Sequence, residues 1–185
     1  MSSLSKHFSF LLHLGEMRFK DWLDRNSLVS LKEVGIREGQ TVLDVGCGSG
    51  TFTIPSATLV GKTGTVYALD IDERALDKLR IRAEKEGFKN IKIIHSSANE
   101  KIKLVDNSID HVLLIDILQE VSNKDSLFEE VGRVLKVGGM ATVFPMHISY
   151  DEVVKLADAN GIQLLSRKFD DRLLIFTKMI GTHVP

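Results

Sequence analysis

The segment VLDVGCGSGTFTIP, Val42 to Pro55, holds the densest chemistry in the chain: Asp44, then Gly46, Gly48 and Gly50 at alternate positions. Alternate glycines let a backbone come close to a ligand, and a helix that follows offers free N–H groups. The pattern is not the dinucleotide fingerprint GxGxxG, because Thr51 stands where its third glycine belongs. It is not a triphosphate loop either, since no Lys-Ser or Lys-Thr pair closes it. Asp44 either fixes the loop by accepting backbone N–H bonds or receives a ligand ammonium, directly or through water. A ligand with both an ammonium and a carboxylate fits this turn better than a pyrophosphate. Asp70 ends the next apolar run, TVYALD, where a carboxylate can accept from both hydroxyls of a ribose. Ile71 follows, placed to lie against a purine. An amino-acid end, a ribose and a purine together describe S-adenosylmethionine.

These residues need strand ends to hold them, and the chain supplies strands alternating with amphipathic helices. TVLDV (41–45), TVYALD (65–70), IKIIH (91–95), DHVLLI (110–115) and MATVFPM (140–146) read as strands. They are apolar on both faces, as parallel strands covered by helices must be. Helices are expected at about 51–60, 73–86, 124–136 and 149–160. Gly61 and Gly87 stand at C-terminal caps, and Gly138–Gly139 makes the turn into the fifth strand. Two last strands, about 162–168 and 172–178, meet near Asp170–Asp171 in a hairpin. The whole reads as an α/β sheet, mostly parallel, with one antiparallel strand at the end.

At 185 residues the chain has the size of one domain, with ordinary apolar (43%) and charged (26%) content. No repeat, low-complexity tract or linker divides it. A net charge of −1 argues against a general nucleic-acid partner. The single cysteine, Cys47, excludes an internal disulfide or a CxxC pair, and the cytoplasm is the simplest compartment. HFSFLLHLG near the N-terminus is too short and too polar for a membrane span and lacks a signal-peptide cleavage site. It reads instead as an amphipathic helix with Phe8, Leu11, Leu12, Gly15, Phe19, Trp22 and Leu23 on one face. That helix either packs on the core or forms a lid over a substrate pocket.

Taken in order, VLDVGCGSG, VYALDID, KLVDNSIDHVLLIDILQEV and RVLKVGGMATV resemble the class I, Rossmann-like S-adenosylmethionine-dependent methyltransferases. The likeness is to the branch that serves ubiquinone and menaquinone biosynthesis, and it covers residues 30 to 178. It implies a three-layer sandwich around a mostly parallel seven-stranded sheet. Residues 1–35 would form an N-terminal helical segment, and 36–180 a cofactor-binding core, within one domain. Gly46, Cys47, Gly48 and Gly50 would line the methionine part with Asp44 behind, Cys47 as a small filler. Asp70 would take the ribose hydroxyls, its rival reading being a plain cap of the helix at 73–86, with Asp72 a second competitor, and Ile71 would lie beside the adenine. Relatives often carry an acid where Ser97 stands, near the adenine amino group. The backbone of Ala98 or the side chain of Asn99 would then serve there. Asp116 stands where relatives contact the methionine end.

Methyl transfer from a sulfonium needs donor and acceptor aligned and dry, and a base only if the acceptor arrives protonated. His147, past the fifth strand, is the candidate base. Gln119 faces the same side, at a position where relatives commonly carry histidine. The expected acceptor is a small molecule. One cysteine is too few for arsenite methylation, and IDILQ replaces the Asn/Asp-Pro-Pro-aromatic box of base and glutamine N-methylation. Only HISYDEV separates the fifth strand from the last helix, so the acceptor pocket is expected to be shallow unless the N-terminal helices or a second subunit, as in a homodimer, close it. The alternative reading is a non-catalytic S-adenosylmethionine-binding module or an activator subunit of another enzyme.

Overall fold

The computed structural model describes the backbone of residues 3–179 and the side chains of residues 14–179. Phe8, Leu11 and Leu12, on the expected apolar face of the first helix, lie outside the described side chains. Two helices open the chain, α1 (Ser3–Arg25) and α2 (Ser27–Glu33). There follow β1 (Thr41–Val45), α3 (Thr53–Val60), β2 (Thr65–Asp70), α4 (Glu73–Lys85) and β3 (Ile91–His95). The second half runs β4 (Ile109–Ile115), α5 (Lys124–Val134), β5 (Leu135–Phe144), α6 (Tyr150–Ala159), β6 (Ile162–Lys168) and β7 (Leu173–Lys178).

Strands buried on both faces belong in the middle of a sheet, and β1 and β4 are buried along nearly their whole length. The sheet has seven strands in the order β3-β2-β1-β4-β5-β7-β6. Only β7 runs antiparallel, to β5 on one side and β6 on the other. On one face Leu43, Val112, Leu114 and Val143 pack against Phe128 and Val131 of α5 and Val153 of α6. On the other, Val42, Leu113 and Phe144 meet Phe19 and Leu23 of α1, Leu31 of α2 and Val60 of α3. Leu76, Leu79 and Ala83, at helical spacing along α4, bury against Ile54 and Ala68.

One expectation is corrected. Gly138–Gly139 does not turn the chain into β5. The fifth strand already begins at Leu135, which pairs with Ile109, and the glycines sit in a bulge before Met140 pairs with His111. Val134 and Leu135 are both fully buried, so burial draws the chain onto the sheet as soon as α5 ends, and Gly138 (φ 73°) absorbs the surplus residues. The chain builds β1, β2 and β3 outward and then returns to place β4 on the other side of β1. The strand order therefore reverses between β1 and β4, and a crevice opens beyond their C-terminal ends.

Candidate functional site

The loop after β1 is fastened to the end of β2. The N–H groups of Gly46 and Cys47 both donate to the Leu69 carbonyl, at 2.8 and 3.1 Å. Gly46 needs to be glycine for two reasons. Its φ is 73°, and a Cβ there would lie 2.6 Å from Cδ1 of Ile117, which comes from beyond β4. Gly48 (φ 52°) differs, because a Cβ there would meet no atom of the chain. Its N–H donates to Oδ2 of Asp70 at 2.7 Å, and the N–H of Asp72 donates to Oδ1 at 2.9 Å. Asp70 is thus oriented through both oxygens and keeps lone pairs for further donors. Asp72 caps α4, accepting from the Arg74 N–H at 2.9 Å, so the helix leaves Asp70 to the crevice.

Asp44 is buried beneath the loop and accepts from the Thr53 hydroxyl at 2.6 Å. Burial, and to a lesser extent the charge of Asp70, raises its pKa from 3.8 to about 6, although the Thr53 bond opposes the rise. The Cys47 thiol is buried and donates to the Gly48 carbonyl. Burial, with Asp44 and Asp70 nearby, pushes the thiol well above its usual range, as suits a filler rather than a nucleophile.

A cleft of ≈ 310 Å³ opens over these strand ends. Gly46, Gly48, Asp70 and Ile71 line it from β1 and β2, Ser97, Ala98 and Asn99 from beyond β3, and Asp116 from beyond β4. Asp72, weighed against Asp70 in the sequence, lines it too, and so do Leu69, Ala75, Ile117, Glu120 and Val121, which escaped sequence reasoning. Ile117, Glu120 and Val121 escaped because a 3-10 turn at Leu118–Glu120 folds them back towards the crevice. Asp44, Cys47 and Gly50 support the loop from behind without lining the cleft. Four carboxylates, Asp70, Asp72, Asp116 and Glu120, face it, and no lysine, arginine or histidine among the described residues does. Such a field favours a ligand carrying positive charge over a pyrophosphate.

Beyond β4 and β5 the rim carries backbone strain. Asp116 (φ 58°) and His147 (φ 65°) are non-glycine residues in the left-handed region. The Asp116 N–H donates to the Phe144 carbonyl at 3.3 Å. Nε2 of Gln119 donates to the Asp116 carbonyl (2.9 Å) and to its Oδ1 (2.7 Å), so Gln119 is turned onto Asp116. Neither Gln119 nor His147 lines the cleft. His147 lies at the end of β5, with Nδ1 3.5 Å from Oε2 of Glu16 on α1.

Around that part of the rim α1 is held at several points. Phe19 packs edge-on against Phe144 (5.4 Å between centroids), and Lys20 lies over the Phe52 ring. The Gly15 carbonyl accepts from Arg172 at 2.9 Å, and Trp22 meets Phe169. These partners come from the glycine loop, β5 and the β6–β7 turn, so α1 reaches across from the first to the last. Among the described residues no helix is long and apolar enough to cross a membrane, and no group of three His, Cys, Asp or Glu could hold a metal.

Residues 36–161 match the family described as a methyltransferase domain. Over 111 residues the chain is 38% identical to a demethylmenaquinone methyltransferase of Staphylococcus aureus, a match covering 60% of this chain and 44% of that protein. The chain therefore spans less than half the length of the curated relatives it matches. A solved S-adenosylmethionine-dependent methyltransferase from Aquifex aeolicus superposes with a TM-score of 0.74 at 26% identity, over 91% of this chain and 98% of that one. A phosphoethanolamine N-methyltransferase 2 of Haemonchus contortus, in complex with phosphomonomethylethanolamine and S-adenosylhomocysteine, shares the fold at a TM-score of 0.66 and 23% identity, over 75% of this chain and 37% of that one. This chain belongs to the methyltransferase domain family, in its class I, S-adenosylmethionine-dependent branch.

Proposed function

We propose that the protein transfers the methyl group of S-adenosylmethionine to a small-molecule acceptor by in-line displacement. The observation that carries this reading is the Asp70 carboxylate, oriented by the Gly48 and Asp72 N–H groups at the edge of an acid-lined cleft. In this reading Gly46 and Gly48 border the methionine part and Gly50 shapes the loop from behind, with Asp44 as an anionic support for the ligand's ammonium. Asp70 accepts from the ribose hydroxyls, Ile71 covers one adenine face, and Ser97 and Ala98 border the adenine edge. Asp116, held in its strained conformation by Gln119, borders the methionine end.

The cofactor supplies a methyl group already activated by a sulfonium. The chain's own task is to align the acceptor, exclude water and receive a proton where one is released. We assign the acceptor side to the region between α1 and the ends of β4 and β5, with residues 1–35 as its cover. Glu16, His147 and Phe144 border that region, and His147 is the group placed to take a proton from an O–H or N–H acceptor.

Equilibrium binding tests the reading. Micromolar affinity for S-adenosylmethionine and S-adenosylhomocysteine, with none for NAD, is the expected result. If neither sulfur nucleotide binds and Asp70→Ala changes nothing, the reading is wrong. Incubation with methyl-labelled cofactor and a metabolite extract then separates an enzyme from a cofactor-binding module, which would label no product. With an acceptor in hand, His147→Ala should lower kcat and leave the affinity for S-adenosylhomocysteine unchanged.

A further inference from the structure

Two neighbouring connections wall the cleft on the side assigned to the adenine. One follows β3 and contributes Ser97, Ala98 and Asn99; the other leads from β4 towards α5 and contributes Glu120 and Val121. Among the described residues, the hydrogen bonds that run from one connection to the other all converge on one atom, Oδ1 of Asn99. It accepts from the Ser122 N–H at 3.0 Å, from the Ser122 hydroxyl at 2.9 Å and from the Asn123 N–H at 3.2 Å. An amide oxygen has two lone pairs, and three donors leave none over for a ligand. At the other end of the side chain Nδ2 of Asn99 donates one N–H to Oγ of Ser97 at 3.4 Å, and the same oxygen accepts the Asn99 backbone N–H at 3.1 Å. Asn123 in turn caps α5 by accepting from the Ser126 N–H, so the bond reaches from the loop wall to the first turn of a helix packed on the sheet.

We infer that Asn99 is a positioning residue that joins the two walls and sets the width of the cleft, and that it does not read the adenine amino group. The inference rests on the proposal that this cleft holds S-adenosylmethionine. Joining the walls before the ligand arrives removes an ordering cost that binding would otherwise carry. The adenine amino group is a donor and would need an acceptor, and the one acceptor of this side chain, Oδ1, is already taken by three donors. The inference also separates Asn99 from Ser97 and Ala98, which border the same edge without crossing it.

Binding of S-adenosylhomocysteine and of its inosine analogue, which replaces the adenine amino group by an oxygen, tests this directly. Asn99→Ala should weaken both ligands by the same factor, about 10-fold, because a wall is loosened and no base contact is lost. Asn99→Asp keeps an acceptor for all three donors and should stay within about 3-fold of the wild type. If Asn99→Asp loses as much as Asn99→Ala, or if either variant changes the ratio between the two ligands, Asn99 reads the base and the inference falls. Ser122→Ala removes one donor, so it should weaken binding less than Asn99→Ala and add little to it in the double variant. Amide exchange of Ser122 and Asn123 in the ligand-free protein supplies a readout independent of the cofactor. Exchange should be slow in the wild type and in Asn99→Asp and fast in Asn99→Ala; equal rates in all three would overturn the inference. Failure of the wild type to bind either nucleotide would instead overturn the proposed function, with the exchange result still deciding the role of Asn99.

Discussion

The two halves of the rim are built from different forces. Beyond β1, β2 and β3 the chain is held by short hydrogen bonds: Leu69 accepts from Gly46 and Cys47, Asp70 from Gly48 and Asp72, and Asn99 from Ser122 and Asn123. Beyond β5 and at the β6–β7 turn, rings and charges press against α1: Phe19 on Phe144, Arg172 over Phe19, Glu16 near His147. Hydrogen bonds fix positions to tenths of an ångström, whereas apolar contacts tolerate shifts and substitutions of similar volume. A half that must hold one invariant cofactor suits the first kind of construction. A half that covers the acceptor, as proposed for α1, suits the second.

This contrast can be broken by experiment. The largest effect is expected from Asp70→Ala, which removes the acceptor of two backbone donors and of the proposed ribose hydroxyls. With hydrogen bonds to a charged group worth about 1.5–3 kcal/mol each, affinity for S-adenosylhomocysteine should fall by about 100-fold or more. Titration calorimetry reads this, and a loss below about 3-fold would remove Asp70 from the site.

The next effect concerns Asp44. Its pKa in the folded chain is raised from 3.8 to about 6, so the folded state takes up a proton before the unfolded state does, and acidification from pH 7 to pH 4 stabilises the fold through this group. Asp44→Asn abolishes that gain. Relative to the wild type, the variant should lose about 2 kcal/mol between pH 7 and pH 4, as urea unfolding of the ligand-free proteins would show. His111 acts in the opposite sense. Burial lowers its pKa from 6.5 to about 4, so its contribution is complete above pH 6.5 and is lost as the pH falls towards 4. Both proteins share His111, and it cancels in the difference between them.

On the other half, Phe19→Ala should detach α1 without disturbing the cleft. Emptying a buried ring site costs about 3 kcal/mol, and here the cost falls on helix docking, so limited proteolysis within α1 should accelerate at least tenfold. Affinity for S-adenosylhomocysteine should stay within about 2-fold; a large loss would show that the halves are one unit. The smallest effect is expected from Glu16→Gln. A half-exposed pair 3.5 Å apart contributes under about 1 kcal/mol, so the melting temperature should barely move.

Much of the fold is legible in the residues because its signals are local. Apolar runs buried on both faces identify β1, β2 and β4, and Leu76, Leu79 and Ala83 mark the inner face of α4. The start of β5 is not legible, because burial of Leu135 overrides the turn preference of two glycines. The glycine loop and the acid at the end of β2 are legible for the same local reason, since a tight turn and a strand end constrain residue type directly.

The sequence by itself determined the element order, the glycine loop, the placement of Asp70 at a strand end and, through the motifs, the family. Tertiary structure alone decided that Asp72 rather than Asp70 caps α4, that Asn99 spends its carbonyl oxygen on residues 122 and 123, and that Glu16 meets His147. Each of these depends on a hydrogen-bond geometry or on a contact between segments distant in the chain. Backbone propensity acts over a few residues and can specify a turn or a strand. A bond between distant side chains exists only once the sheet has brought its strand ends together.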